Sequence, residues 1–265
     1  MVLNTLLARQ AAYRPDHTAV VFGDTRLTWA QLESRIGRTV DALARRGLGK
    51  GDAVATMADN CLEVLDIYLA AATAGIVVVP LSPMLRGKGL VTLLNDSGAK
   101  ALLTMDRLAD VVDDLRGDLA GLADDGYLLI DADRDCWTSY ERYVADSEAA
   151  PAPFLHLDDD DVFNLIYSSG TTGDPKGIVH THGIRTAYAT GFSTSYRIHP
   201  ESVILHSGSL VFNGAFLTLM PWLLQGTTFV LMASFDAQAV VEAIATEGVT
   251  HMMVVPSQLI GLMDT

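Results

Sequence analysis

Short apolar runs alternate with amphipathic stretches along almost the whole chain. The runs are rich in Val, Leu and Ile and end at Gly, Pro or Asp, which is typical of strands buried on both faces. The amphipathic stretches repeat apolar residues every three or four positions, as helices do. The pattern predicts strands at 19–22, 26–27, 53–57, 76–79, 101–104, 127–130, 162–167, 203–206, 228–231 and 251–255. It predicts helices over 32–43, 61–73, 90–95, 184–193, 212–224, 237–247 and 258–263.

This alternation of strands and helices predicts an α/β fold with mainly parallel sheets. Two helix starts have polar signals. Thr28 and Gln31 have the spacing of a capping box, and Asn60 is a favoured N-cap residue before the apolar stretch 61–73.

Composition and charge exclude several classes of protein. The chain has 265 residues, 49% of them hydrophobic, so it can bury a large core. Its net charge of -14 repels polyanions, so we expect no nucleic-acid partner. No apolar run approaches the ~20 residues of a transmembrane helix, and the first residues, MVLNTLLARQ, lack the features of a secretory signal. The expected location is therefore the cytoplasm.

No metal site is predicted from the residues present. The two cysteines, Cys61 and Cys136, lack metal-ligand spacing and fit a reducing compartment. The four acidic residues at 158–161 are interpreted as a solvated loop before a strand.

Residues 167–177 read YSSGTTGDPKG and directly follow a predicted strand. Glycines allow backbone N–H groups to surround an anion, the hydroxyls add donors, and the lysine adds a positive charge. The order differs from the common P-loop, because Lys176 is separated from Gly173 and no helix is predicted after it. The stretch therefore predicts a polyphosphate-binding loop; a flexible Ser/Gly turn is the alternative.

The longer stretch YSSGTTGDPKGIVHTH, at 167–182, resembles the phosphate-loop signature of the adenylate-forming (AMP-binding) superfamily. That superfamily includes acyl-CoA synthetases, luciferases and the adenylation domains of peptide synthetases. Weaker matches are LTWAQL at 27–32, AAATAGIVVVPL at 70–81 and VVPS at 254–257. The chain is thus identified as a member of the acyl-CoA synthetase (fatty-acid–CoA ligase) type, matching its amino-terminal portion.

The resemblance implies two packed α/β lobes, 52–196 and 1–51 plus 201–265. Superfamily chains are normally much longer. The Tyr-Gly-x-Thr-Glu element, with its magnesium-binding Glu, and the carboxy-terminal domain, with its catalytic Lys, are not found within residues 1–265. The sequence-based expectation is a fragment with little or no ligase activity alone. A sheet edge left open would favour association, so a homodimer stays open.

The resemblance also implies a reaction. Family members convert a carboxylic acid and MgATP into an acyl-adenylate and pass the acyl group to a thiol such as coenzyme A. The expected cofactors and partners are therefore ATP, Mg²⁺, coenzyme A and an acid. Residue by residue, the phosphates would be held by Ser168, Ser169, Gly170, Thr171, Thr172, Gly173 and Lys176, with catalytic roles for Lys176, Thr171 and Thr172.

The expected substrate-binding residues are Phe212, Asn213 and Gly214. In amino-acid-activating relatives an aspartate at the second of these positions holds the substrate ammonium. Asn213 is neutral and offers no such ion pair, so the resemblance favours a fatty acyl or aryl acid. Asn213 could instead cap the following helix, and Phe212, Phe216 and Trp222 could line an acyl pocket or belong to the core.

Two further functions stay open at this stage. One is a non-catalytic nucleotide-binding or interaction module, and the other is an adenylation domain that serves a carrier protein. His182 is interpreted as a structural residue rather than a catalytic one.

Overall fold

The computed structural model describes residues 2–147, 155–168 and 175–265. The strands within these ranges are β1 Thr18–Phe22, β2 Thr25–Thr28, β3 Ala53–Met57, β4 Val77–Pro80, β5 Ala99–Thr104, β6 Tyr127–Leu129, β7 Thr138–Ser139, β8 Val162–Ser168, β9 Lys176–Thr181, β10 Val203–His206, β11 Thr228–Leu231 and β12 His251–Met252. The α-helices are α1 Leu6–Tyr13, α2 Trp29–Arg45, α3 Leu62–Ala74, α4 Gly87–Ser97, α5 Asp106–Asp113, α6 Tyr140–Ala145, α7 His182–Ser195, α8 Phe216–Gln225, α9 Ala237–Glu247 and α10 Pro256–Met263. The predicted α/β class is confirmed.

The strands form two sheets, each in its own compact unit. Unit 1 comprises residues 1–33, 59–62 and 183–265, and unit 2 comprises 34–58 and 63–182. The lobes expected from the sequence differ from this division chiefly at 34–51 and 183–196, which change units. Helix α2 begins in one unit and ends in the other. The boundary expected from the sequence falls after residue 51, beyond the end of α2, so it assigned the whole helix to one lobe.

Unit 2 contains a seven-stranded sheet in the order β7-β6-β5-β3-β4-β8-β9. All neighbouring strands are parallel except β8 and β9, which are antiparallel. Every residue of the central strand β3 is buried. This agrees with the continuous apolar run in its sequence, since parallel strands are covered on both faces.

Unit 1 contains a five-stranded sheet in the order β12-β10-β11-β1-β2, in which only the hairpin β1–β2 is antiparallel. Trp222 of α8 stacks on Trp29 and Phe229, with ring centroids 5.2 and 5.1 Å apart, respectively. Its indole N–H donates to the carbonyl of Ala19 at 2.9 Å. Trp222 is therefore a core residue, and the acyl-pocket alternative is wrong for it.

The capping box predicted before α2 is confirmed. The backbone N–H of Thr28 donates to Gln31 Oε1 at 2.9 Å, and the Gln31 N–H donates to Thr28 Oγ1 at 3.3 Å. These bonds satisfy two backbone donors that a helix start leaves without intrahelical partners.

The capping role predicted for Asn60 is wrong. Helix α3 begins at Leu62, and the Asn60 side chain lies within unit 1. There it donates to the carbonyls of Gly208 (2.6 Å) and Met232 (2.9 Å) and accepts from the Leu210 N–H at 2.8 Å. A local N-cap preference cannot anticipate these partners, because they lie far along the chain.

Among residues 2–147, 155–168 and 175–265, no helix combines the length and apolarity that a membrane crossing requires.

Candidate functional site

The predicted phosphate-binding loop joins two antiparallel strands. In the register of β8 and β9, Ser168 lies opposite Lys176, and Tyr167 lies opposite Gly177. Strand β8 runs parallel to β4, so Ser168 ends the strand at the carboxyl edge of the parallel part of the sheet. Ligands of open α/β sheets bind at that edge. The fold therefore brings the first and last predicted phosphate ligands, one hydroxyl and one ammonium, to the same place.

Tyr167 holds this end of the hairpin in position. Its hydroxyl donates to Asp96 Oδ2 at 2.6 Å, and burial, together with this hydrogen bond, raises the pKa of Tyr167. Its ring lies against Gly177. A Cβ on Gly177 would come within 2.9 Å of Leu165 Cδ1 and 3.2 Å of Tyr167 Cε1. Glycine lets the Leu165 and Tyr167 side chains lie close to this strand, and a Cβ would force one of them to shift.

The other predicted loop residues are Ser169, Gly170, Thr171, Thr172 and Gly173, and all five lie outside the described residues. Lys176 is described and exposed at the start of β9. A hydroxyl and an exposed ammonium at one strand end suit phosphate oxygens. Within the described ranges, no group of three or more His, Cys, Asp or Glu side chains is arranged to hold a metal ion.

The predicted substrate-binding residues form the turn before α8 in unit 1. Phe212 has 58% of its surface exposed, Asn213 is also exposed, and Gly214 lies in the 3₁₀ turn Asn213–Ala215. The capping alternative for Asn213 is wrong. The residue preceding α8 is Ala215, and the Asn213 side-chain oxygen accepts from an arginine instead of a helix N–H.

That arginine is Arg185 of α7, which the sequence analysis did not identify. Arg185 is fully buried, and its Nη1 donates to Asn213 Oδ1 at 2.9 Å. Its guanidinium lies 3.7 Å from the ring centroid of Phe216 and 5.0 Å from that of Tyr188. Asn213 Nδ2 in turn donates to the Tyr188 hydroxyl at 3.4 Å. We call Arg185, Tyr188, Asn213 and Phe216 the Arg185 cluster.

One signal in the sequence could have identified this arginine. Helix α7 reads HGIRTAYATGFSTS, and Arg185 is its only lysine, arginine or acidic residue. Tyr188 follows three positions later on the same helical face. A single cation among small and aromatic residues indicates a specific partner, although the sequence does not indicate which one.

Two histidines, His182 and His206, are buried among other side chains. Burial lowers the pKa of His206 to about 4, and its Nδ1 is 3.0 Å from Thr218 Oγ1. Burial also lowers the pKa of His182 to about 4, and its ring packs edge-on against Phe163 at 5.7 Å between centroids. Both imidazoles are therefore expected to be neutral near pH 7.

The chain is similar in sequence to a known protein family and to curated proteins. The family model described as "AMP-binding enzyme" matches residues 7–265. Feruloyl-CoA synthase from an Amycolatopsis species is 33% identical over 255 residues, which cover 94% of this chain and 48% of that protein. The long-chain-fatty-acid–CoA ligase FadD13 of Mycobacterium tuberculosis is 32% identical over 238 residues, covering 89% of this chain and 46% of the ligase. The chain thus spans about half the length of these curated relatives.

A solved structure has the same fold. The inhibitor-bound N-terminal domain of FACL13 from Mycobacterium tuberculosis superposes with a TM-score of 0.88 at 27% identity. The match covers all of this chain and 65% of that one.

Proposed function

Because the chain belongs to the AMP-binding enzyme family, we propose that the protein carrying it is an ATP-dependent acid–CoA ligase. It would activate a fatty acyl or aryl acid as the acyl-adenylate and transfer the acyl group to coenzyme A. The curated relatives are named for a feruloyl and for a long-chain fatty acyl group, which supports both acid classes. A cytoplasmic location and a homodimer remain part of this proposal.

The observation that carries the proposal is the pairing of Ser168 with Lys176 across β8 and β9. These residues would hold phosphate oxygens of MgATP, and the five predicted phosphate ligands between them, at 169–173, would complete the binding site. Bound ATP supplies an activated phosphorus and pyrophosphate as the leaving group. Lys176 would orient the triphosphate and stabilise charge that develops on the departing oxygens, as positioned cations do in phosphoryl-transfer enzymes.

Replacement of one lysine tests this role. In the full polypeptide that carries this chain, Lys176→Ala should reduce acid-dependent exchange of labelled pyrophosphate into ATP by about a hundredfold or more. The matched control is Lys88→Ala, since Lys88 is an exposed lysine on α4 of the same unit. Unfolding midpoints should be unchanged in both variants. Full exchange in Lys176→Ala, or equal losses in the two variants, would contradict the proposal.

A second measurement separates the open alternatives. The full polypeptide is assayed with a panel of acids, first for exchange and then for thioester formation with coenzyme A. Exchange followed by the acyl-CoA product supports the ligase. Exchange without that product favours transfer to a carrier protein, and nucleotide binding without exchange favours a non-catalytic module. The 265-residue chain assayed alone should show little ligase activity.

A further inference from the structure

The Arg185 cluster fixes the orientation of the Asn213 side chain. A guanidinium carries only donors, so the amide atom 2.9 Å from Arg185 Nη1 must be the oxygen. The amide nitrogen then faces the Tyr188 hydroxyl at 3.4 Å. The hydrogen-bond partners on both sides therefore determine which way this exposed amide points.

This orientation determines what Asn213 can offer a ligand. Its oxygen accepts from Arg185, while one of the two N–H groups of Nδ2 is left over after the bond to Tyr188. The Tyr188 oxygen accepts that bond, so its own O–H can donate elsewhere. The exposed atoms of the cluster are therefore donors, and a buried cation lies directly behind them.

Hydrogen bonding favours one kind of ligand at such a surface. The Arg185 guanidinium lies against the rings of Tyr188 and Phe216 and faces the Asn213 oxygen, so the groups left to a ligand are N–H and O–H donors. A ligand ammonium carries only donors and is poorly matched to these groups. An ether, carbonyl, phenol or carboxylate oxygen would accept from Asn213 Nδ2 or from the Tyr188 O–H.

We propose that Arg185 is a specificity-determining residue that acts through Asn213 and selects acids carrying a hydrogen-bond-accepting oxygen remote from the reacting carboxylate. Among the fatty acyl and aryl acids of the proposed function, those with only hydrocarbon beyond the carboxylate should be the poorer substrates, and amino acids are disfavoured as well. The proposal rests on the proposed function, because it assumes that Asn213 contacts the acid. It goes further by naming the substrate class and the residue that selects it.

Matched pairs of acids test this selection in the full polypeptide. The pairs are cinnamate with 4-methoxycinnamate and decanoate with decanedioate, and phenylalanine represents amino acids. In the wild type, kcat/KM for pyrophosphate exchange should favour the oxygen-bearing member of at least one pair by about tenfold or more. Arg185→Met should bring that ratio close to one, mainly through KM, while exchange with the hydrocarbon acid persists.

Three further variants control for folding and charge. Arg185→Lys keeps the cation and should restore part of the ratio. Tyr188→Phe removes only a hydroxyl, so it reports selectivity even if Arg185→Met fails to fold, and its ratio should fall severalfold. Arg26→Met removes an arginine of the same unit that binds Glu247 at 2.6 and 2.9 Å, and its ratio should equal that of the wild type.

Asn213→Asp tests the role of the cation directly. We expect Arg185 to pair with the new carboxylate, so phenylalanine should gain little exchange. Combining Asn213→Asp with Arg185→Met exposes that carboxylate and should raise phenylalanine exchange by about tenfold or more. Phenylalanine exchange that is equally strong in the single and double variants would overturn the role of Arg185.

The inference and the proposed function can fail separately. Dissociation constants of the same acid pairs, measured calorimetrically without ATP, report selection even if no exchange occurs. Absence of exchange together with a tenfold binding preference that Arg185→Met removes would overturn the ligase and support the inference. Exchange with every pair at ratios near one, in both wild type and Arg185→Met, would overturn the inference alone.

Discussion

Two arginines, the partly buried Arg35 of unit 2 and the buried Arg185 of unit 1, have different kinds of partner. In unit 2, Nε of Arg35 donates to both oxygens of Asp66 at 2.7 and 2.8 Å, and Nη2 donates to Glu63 at 3.2 Å. In unit 1, Arg185 donates to the neutral amide of Asn213 and lies against aromatic rings. Carboxylates carry a charge opposite to that of a guanidinium, whereas an amide oxygen is a neutral acceptor.

The partners of Arg35 form a closed structural network. The Tyr140 hydroxyl donates to Asp66 Oδ2 at 3.1 Å and lies 2.9 Å from Thr39 Oγ1. Burial raises the pKa of Asp66 to about 6, although the charge of Arg35 acts in the opposite direction. This network joins α2, α3 and α6, so its polar groups stabilise contacts between helices. The contacts of Arg35 are thus structural, and the recognition role of Arg185 is the one proposed above.

Removing Arg35 should produce the largest change in stability. Arg35→Met leaves the buried Asp66 without its cation, and breaking a buried ion pair on one side costs about 3 kcal/mol or more. The free energy of unfolding in urea should fall by that amount, while the acid selectivity of the folded protein stays unchanged. Arg38→Met is the control, because Arg38 lines the same cavity of about 330 Å³. A change in acid selectivity in Arg35→Met would contradict the purely structural role of Arg35.

The pH dependence of stability should identify Asp66. Its folded pKa of about 6 is above its ordinary value, so between pH ~4 and ~6 the native state holds a proton that the unfolded chain has lost. The free energy of unfolding should therefore fall as pH rises through this window, by about 3 kcal/mol from this group. Asp66→Asn lacks the titration, so the difference between wild type and this variant isolates it.

The Arg185 cluster provides the comparison for this pH experiment. Neither a guanidinium nor an amide titrates between pH 4 and 6, so Arg185→Met should keep the wild-type pH dependence. A wild-type curve parallel to that of Asp66→Asn would show that Asp66 has an ordinary pKa.

Two tyrosine-to-phenylalanine changes should give the smallest effects of this series. One should lower stability, and the other should alter acid selectivity. Tyr140→Phe removes the hydroxyl that binds Asp66 and should lower the free energy of unfolding by about 1 kcal/mol without altering selectivity. Tyr188→Phe, compared with it, should alter selectivity and leave the urea midpoint nearly unchanged, because its bond to Asn213 is long and exposed. Equal effects of both changes on the unfolding midpoint would contradict the different roles expected for Tyr140 and Tyr188.

Local signals predicted most of the strands and helices. The apolar runs became buried strands, such as β3 and β11, because period and composition act over a few residues. The capping box of Thr28 and Gln31 formed for the same reason. No helix was predicted directly after Lys176, and Gly177, Ile178 and Val179 lie in β9. The pairing of β9 with β8 was not predicted, since strand order depends on the rest of the sheet.

The candidate site was predicted only in part. Its amino-acid types indicated a phosphate-binding loop, and the register of β8 and β9 then placed Ser168 opposite Lys176. The substrate turn was identified from the sequence order, but the partner of Asn213 was not. Arg185 lies far from it along the chain, so no local pattern links the two.

The sequence by itself determined the fold class, the family and the residue types of the phosphate loop, because periodicity, composition and an ordered motif are properties of neighbouring residues. Tertiary structure alone decided that Asn60 binds distant carbonyls instead of capping a helix. It also decided that Arg35 meets carboxylates while Arg185 meets an amide. The physical reason is that the effect of a buried charge depends on its partners, and packing selects those partners from distant parts of the chain.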